Sequence, residues 1–380
     1  MSQFSIPCSV YRGGTSRGLF FHKKDLPEDV HKRNKIFLEG IDAYNPSQVN
    51  GLGGTTSSTS KIGVICPSDR EDADVDWTFY QIGVAEEVVD DKGTCGNLMA
   101  GVGAFTVDEG LVAVDPGAEK ADVFVYNTNI NKVLHMEVPV VGGKAKVSGD
   151  YFMPGVITPG AMFRVSIMNP GGEMTGKLLP LGPRHDVKTD HSTYAVTFCD
   201  LINPFIFLAG QDAGLTGNEP RSVVAANQAL LDELNLIRDK IAVVAGMADN
   251  EQDARKNKPN VPKIAVVSPA QDYKTTGGEL IKKEGVDILV KVVSMGKLHR
   301  TSPASGLYNL AAATLLPGAI PNEVAGIPKG LTDRIIRIGH PEGVVEVRVT
   351  LTEDGNQVEK VGMERTARRI MKGEIYIPTP

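Results

Sequence analysis

The sequence predicts a mixed α/β protein built as two similar halves, each with a buried helix set among strands. Three observations carry this. The chain has 380 residues, beyond the roughly 250–300 at which one core usually divides. Its 41 glycines and 23 prolines demand many turns, which favours short strands. Two glycine-bearing loops, at 93–97 and 295–306, each lead into a helix without a polar face, a pattern normally confined to the interior.

Taken in order, residues 6–11 read as a strand, and Leu19-Phe20-Phe21 opens a second one. Between them Arg12-Gly13-Gly14-Thr15-Ser16-Arg17-Gly18 forms a basic, hydroxyl-bearing loop. Such a loop offers backbone N–H groups, two hydroxyls and two guanidiniums to an anion. The plain alternative is a glycine-rich hairpin with solvated arginines; the spacing is not that of a nucleotide P-loop. Residues 25–40 have the mixture of a surface helix. The stretch 51–60 has the composition of a linker, yet it runs straight into an apolar strand at 62–65, with Lys61 at the junction. A snorkelling surface lysine is the commoner fate of that residue type. Residues 69–76 are acidic but lack EF-hand spacing, so a solvated loop is expected. Residues 77–84 alternate as a strand.

The stretch 93–105 is the pivot of the first half. Its first helical N–H groups have no intrahelical partners, which makes the Cys95-Gly96-Asn97 corner an anion seat. A thiol in that positive field should ionise readily; the alternative is a buried structural cysteine. Strands at 121–126 and 133–138 pair around Asn127-Thr128-Asn129, with His135 in a structural place. Residues 169–189 turn rich in Gly, Pro and polar types and mark the inter-domain crossing. Residues 193–208 then repeat a strand–turn–strand. An amphipathic helix is expected at 222–244, and strands at 263–267 and 286–293. A second loop-into-apolar-helix unit occupies 295–316, followed by strands at 335–338 and 344–350. The shared order indicates a duplicated fold, with domains at 1–182 and 183–365 and the tail 366–380 returning to the first. Two converging helix N-termini would suit a di- or tricarboxylate.

Net charge is −6 with no long Lys/Arg block, and the chain has one Trp and 6% aromatic residues. Nucleic-acid and membrane-surface partners are therefore not expected. Cys8, Cys66, Cys95 and Cys199 show no C-x-x-C spacing, so neither a zinc site nor a disulfide framework is indicated. No basic-then-apolar leader and no run of 18 apolar residues is present. The cytoplasm is the expected location, no metal is expected, and a homo-oligomer is allowed.

Several of these stretches have a family likeness. Arg12 through Gly18, Gly54 through Lys61, Cys95-Gly96-Asn97, Met295 through His299, Gly339-His340-Pro341 and Arg365-Thr366-Ala367-Arg368-Arg369-Ile370-Met371 resemble the PrpF family. That family includes 2-methylaconitate and aconitate isomerases, methylitaconate isomerase and 4-oxalomesaconate tautomerase. The resemblance implies a diaminopimelate-epimerase-like fold: two similar α/β domains, each a sheet wrapped around a central helix, with the active site in the cleft between them. It also implies cofactor-free proton transfer that shifts an alkene within a small polycarboxylate. Carried over, Lys61 matches the lysine that acts as base and Cys95 the cysteine facing it, which either returns the proton or only shares the pocket. Gly96 and Asn97 match the amides that hold a substrate carboxylate. Arg12 and Arg17 would supply positive charge. Thr15, Ser16, Ser60, His299, Ser305 and Gly306 match or adjoin pocket-lining positions. The second helix start, Pro303-Ala304-Ser305-Gly306, has no cysteine, which speaks against a two-thiol amino-acid racemase. A non-catalytic polycarboxylate-binding protein is the other competing reading.

Overall fold

The structure is a computed structural model that describes residues 2–379; positions 1 and 380, which close the expected domain limits, lie outside the described residues. The chain divides into two compact units. One holds the residues up to Met168 together with those from Met363 onward, the other Asn169–Gly362.

The first unit contains β1 (Gln3–Gly13), β2 (Ser16–His22), α1 (Val30–Ile41), β3 (Lys61–Pro67), β4 (Val75–Ile82), α2 (Met99–Asp108), β5 (Lys120–Asn127), β6 (Lys132–Val141) and β7 (Phe163–Met168). Across its sheet the order is the terminal strand Ala367–Pro378, then β1 through β7. Neighbours are antiparallel except β2/β3 and β4/β5, which are parallel. Every residue of α2 is buried, as its unbroken apolar composition requires. It touches the terminal strand and β1 on one side and β5, β6 and β7 on the other, so the sheet curls around it. On the sheet's other face α1 places Ile36, Phe37 and Ile41 against Val10, Leu19, Ile62 and Val64. That helix starts later than its composition suggested, where the Asp29 side chain accepts from the Lys32 N–H at 2.9 Å. Its four buried residues make it a core element as well as a surface one.

In the second unit the elements are β8 (His185–Lys188), β9 (Thr193–Cys199), β10 (Phe205–Ala209), α3 (Gln228–Val244), β11 (Lys263–Pro269), β12 (Ile288–Ser294), α4 (Ala304–Leu315), β13 (Asp333–His340), β14 (Gly343–Leu351) and β15 (Val358–Arg365). The order runs β8 to β15, antiparallel except β10/β11 and β12/β13. This is the first unit's succession of orientations, repeated strand for strand. The duplication also reaches the residues: β3 reads Lys-Ile-Gly-Val-Ile-Cys-Pro and β11 reads Lys-Ile-Ala-Val-Val-Ser-Pro. The single amphipathic helix expected at 222–244 is two helices, because Asn227 leaves the helical conformation and its side chain caps the Leu230 N–H at 3.1 Å.

The basic loop expected at 12–18 is the largest departure. Strand pairing runs to Gly13↔Ser16, so the tip is only Gly14-Thr15. This turn is pressed onto the segment that starts α2. A Cβ on Gly13 would lie 2.7 Å from the Asn97 carbonyl oxygen and 2.8 Å from the Gly101 nitrogen. Gly14 has φ +54°, and a Cβ there would meet the Asn97 side chain. Glycine is thus required by close approach at one position and by conformation at both counts at the next.

Gly13→Ala should therefore lower unfolding stability by about 1–3 kcal/mol, the usual cost of overpacking, seen as a lower urea midpoint with an unchanged slope. An unchanged midpoint would mean that the turn and the helix start are not tightly seated.

Candidate active site

Five polar groups of the first unit meet where the β1/β2 turn touches the start of α2. Cys95 stands one turn before the helix, and its carbonyl accepts the N–H groups of Leu98 (3.0 Å) and Met99 (3.3 Å). No side chain caps this end. The N–H groups of Gly96 and Asn97 have no hydrogen-bond partner among the described residues. Free donors at a helix start are the arrangement that receives an anion. The preceding Thr94 is held by Asn127, the last residue of β5, whose side-chain amide donates to the Thr94 hydroxyl at 2.7 Å.

The Cys95 thiol donates to the hydroxyl of buried Ser16 at 3.5 Å. Asn97 is fixed at both ends of its amide: it donates to the Thr15 hydroxyl at 3.1 Å and accepts from Arg365 Nε at 3.1 Å. Arg365 arrives from the chain's return to this unit, and nothing near it in sequence marks it as a partner of Asn97.

Lys61 is the first residue of β3 and only 7% exposed. Its register partners are Gly18 on β2 and Gln81 on β4. Nζ donates to Gln81 Oε1 at 2.6 Å and lies 5.1 Å from the centre of the Phe79 ring. The Gln81 amide cannot turn over. Its nitrogen donates to the carbonyls of Ser57, Ser60 and Ile82 at 3.0, 2.9 and 3.2 Å, so only its oxygen can face the lysine. Sequence reading missed Gln81, because the pairing depends on strand register and not on spacing.

Three expected ligand residues of this unit are committed to the scaffold. Arg12 donates to the carbonyls of Gly14 and Thr366, both at 2.9 Å; burial, and then the charge of Arg368, hold its pKa below the ordinary value. Arg17 donates to the carbonyls of Leu52 and Gly53. Ser60 is fully buried, and its hydroxyl is enclosed by the Gln48 amide and the Thr56 carbonyl. A guanidinium that staples carbonyls and one that waits for an anion look alike in sequence.

In the second unit His299 Nδ1 accepts from the Thr301 N–H at 3.1 Å, and the His299 and Leu298 carbonyls accept from Arg221. The Ser305 carbonyl accepts from Asn309 at 2.8 Å. Gly306 is buried against Phe205, whose ring would lie 2.7 Å from a Cβ. The counterpart of Lys61, Lys263, donates to the Asn260 carbonyl at 2.7 Å.

Known proteins carry the same architecture. The chain is 40% identical to the 3-methylitaconate isomerase of Eubacterium barkeri, over 99% of this chain and 98% of that protein. It is 33% identical to the 2-methyl-aconitate isomerase of Shewanella oneidensis, over 100% and 98% of the two chains. A crystal structure of methylitaconate-delta-isomerase superposes with a TM-score of 0.91 at 39% identity, covering 100% of this chain and 97% of that one. The protein is an isomerase. Residues 3–378 match the PrpF protein family model, and the chain belongs to that family. No helix among the described residues is long and apolar enough to cross a membrane.

The four thiols differ in setting. Burial pushes Cys8 up to about 12 and raises Cys199 further, while Cys66 is also raised, first by burial. Because the thiolate is the reactive form, a substoichiometric thiol reagent near neutral pH should modify Cys95 first, read by peptide mass spectrometry. Equal labelling of Cys66 would contradict this ordering.

Proposed function

We propose that the protein shifts a C=C bond within an unsaturated di- or tricarboxylate of the aconitate, methylaconitate, methylitaconate or oxalomesaconate type, by a cofactor-independent 1,3-proton transfer in the cytoplasm. The observation that carries the reading is that nearly buried Lys61 pairs in register with Gly18, two residues along β2 from Ser16, whose hydroxyl takes the thiol of the helix-start corner with its two free amides. The names of the similar isomerases supply the substrate class.

In this mechanism neutral Lys61 removes an allylic proton beside a carboxylate. The C–H pair moves into the carbon skeleton and spreads over a dienolate. The Gly96 and Asn97 N–H groups receive the carboxylate oxygens on which the negative charge collects. Donors aimed at developing charge are commonly worth ~100-fold or more in rate. A proton is then returned two carbons away, by Cys95 or by Lys61 itself, so that one C–H bond is lost, one is formed and no electrons are exchanged. Gln81 anchors the lysine between the two steps. Thr15 and Ser16 support the corner.

Lys61→Ala should abolish turnover of an aconitate or methylitaconate, followed by alkene absorbance, without loss of folding; wild-type activity would end the lysine-base assignment. Cys95→Ser separates the two proton-return routes. A near-normal rate assigns both steps to Lys61, while a loss of about 100-fold or more, the scale of a missing general acid, assigns the return to the thiol. Solvent deuterium entering the carbon frame is expected in either case, and tight binding without exchange would favour a non-catalytic binding protein. Gln81→Met, which removes the acceptor and keeps the length, should lower kcat by more than it raises KM, and Gln81→Glu should not restore the rate, because its second oxygen would face the Ser57, Ser60 and Ile82 carbonyls with no proton to donate.

A further inference from the structure

The second unit holds a cavity of about 570 Å³ lined by none of the residues given a catalytic or substrate-binding role above. Its size falls within the range of small-molecule sites. Lys291 lies on a central strand of the sheet, between Val290 and Val292, and is 8% exposed. A charge placed there is costly unless it is fully compensated. Its compensation is partial. Nζ donates to the Gly217 carbonyl and stands 3.7 Å from Glu219, leaving a third proton unused. Glu219 is itself engaged elsewhere: its carboxylate accepts from the Thr216 N–H and hydroxyl and from the Gly217 N–H. Burial would raise that carboxyl, but these donors hold it at about 2, so it stays charged and attached to its own turn.

A second donor reaches the same cavity. His340 is 9% exposed, and its Nδ1 accepts from the Glu342 N–H at 3.2 Å. Burial lowers its pKa against the opposing pull of Glu342, which keeps the ring neutral with its proton on Nε2. That N–H has no partner among the described residues. The walls add Tyr273, Leu280, Leu289 and Pro220. Arg221, Asp272 and Lys274 also line the cavity; the two unfilled donors, one of them an ammonium, suit a carboxylate, and the apolar side chains suit a short apolar body.

We infer that this cavity is a second ligand site, separate from the isomerase chemistry, which takes an amphipathic monocarboxylate with its charged group on Lys291 and His340. The probe is 4-phenylbutyrate, with the uncharged 4-phenylbutanamide as control, titrated calorimetrically into the full chain. Phenylbutyrate should bind, and the amide should bind about tenfold or more weakly, the scale of one charged hydrogen bond. Lys61→Ala should leave this affinity within about twofold, because Lys61 is not among the residues that line the cavity. The double variant Lys291→Met/Glu219→Gln, which leaves no lone buried charge, should lose at least about tenfold. If circular dichroism shows that the double variant does not fold, His340→Gln decides, with a loss of several-fold expected. Equal affinity for acid and amide, unchanged binding in the folded cavity variants, or loss in Lys61→Ala with those variants intact would overturn the inference. So would the absence of any phenylbutyrate binding up to about 10 mM, beyond the weak end of small-ligand affinities. None of these results depends on whether Lys61 is the base.

Discussion

The first unit is organised by one steric constraint: the β1/β2 turn and the start of α2 approach so closely that neither tolerates a side chain between them. Gly13 faces the backbone of Asn97, Leu98 and Gly101, and Gly14 faces the Asn97 amide. That proximity sets Ser16 beside the Cys95 thiol and Thr15 beside Asn97. It also leaves the Gly96 and Asn97 N–H groups at the turn before the helix, because the Cys95 carbonyl takes the next two amides. The glycine-rich tip is thus a spacer that brings two backbones together, and the N–H donors without a partner among the described residues belong to the helix start.

Duplication supplies the frame and divergence supplies the chemistry. Both units repeat the same succession of parallel and antiparallel neighbours, and both begin the equivalent strand with Lys-Ile. The environments then separate. Lys61 meets a side-chain amide whose orientation three carbonyls enforce, whereas Lys263 is bound to the backbone at Asn260. The corner Cys95-Gly96-Asn97 is answered by Pro303-Ala304-Ser305, with no thiol. The thiol and the lysine held by a side-chain amide are thus both in one half of a doubled scaffold.

Much of this was legible in the sequence, and the limits have physical causes. The buried helices declared themselves by the absence of a polar face, and the strands by alternation or by short apolar runs, so the α/β class and the repeat were accessible. Lys61, Cys95, Gly96 and Asn97 were marked by a polar or reactive residue at the edge of an apolar element. Their supports were not. Gln81 reaches its partner through strand register, Arg365 across 268 residues and Gln48 from a loop 12 residues away, and no local pattern encodes these contacts. Arg12, Arg17 and Ser60 show the converse: the sequence does not reveal that their side chains bond to backbone carbonyls and to a buried amide. The division of 222–244 turned on one capping asparagine that amphipathic spacing does not register.

The strand Ala367–Pro378 pairs along the whole of β1, and Arg365 just before it completes the hold on Asn97. These pieces of the first unit are therefore translated only after all of Asn169–Gly362. At ~5–20 residues per second the ribosome needs ~10–40 s for that stretch, during which β1 is an open edge and the Asn97 amide lacks its guanidinium. A nascent chain should thus complete the first unit's sheet and the hold on Asn97 only near the end of synthesis, with the half begun first being the half finished last.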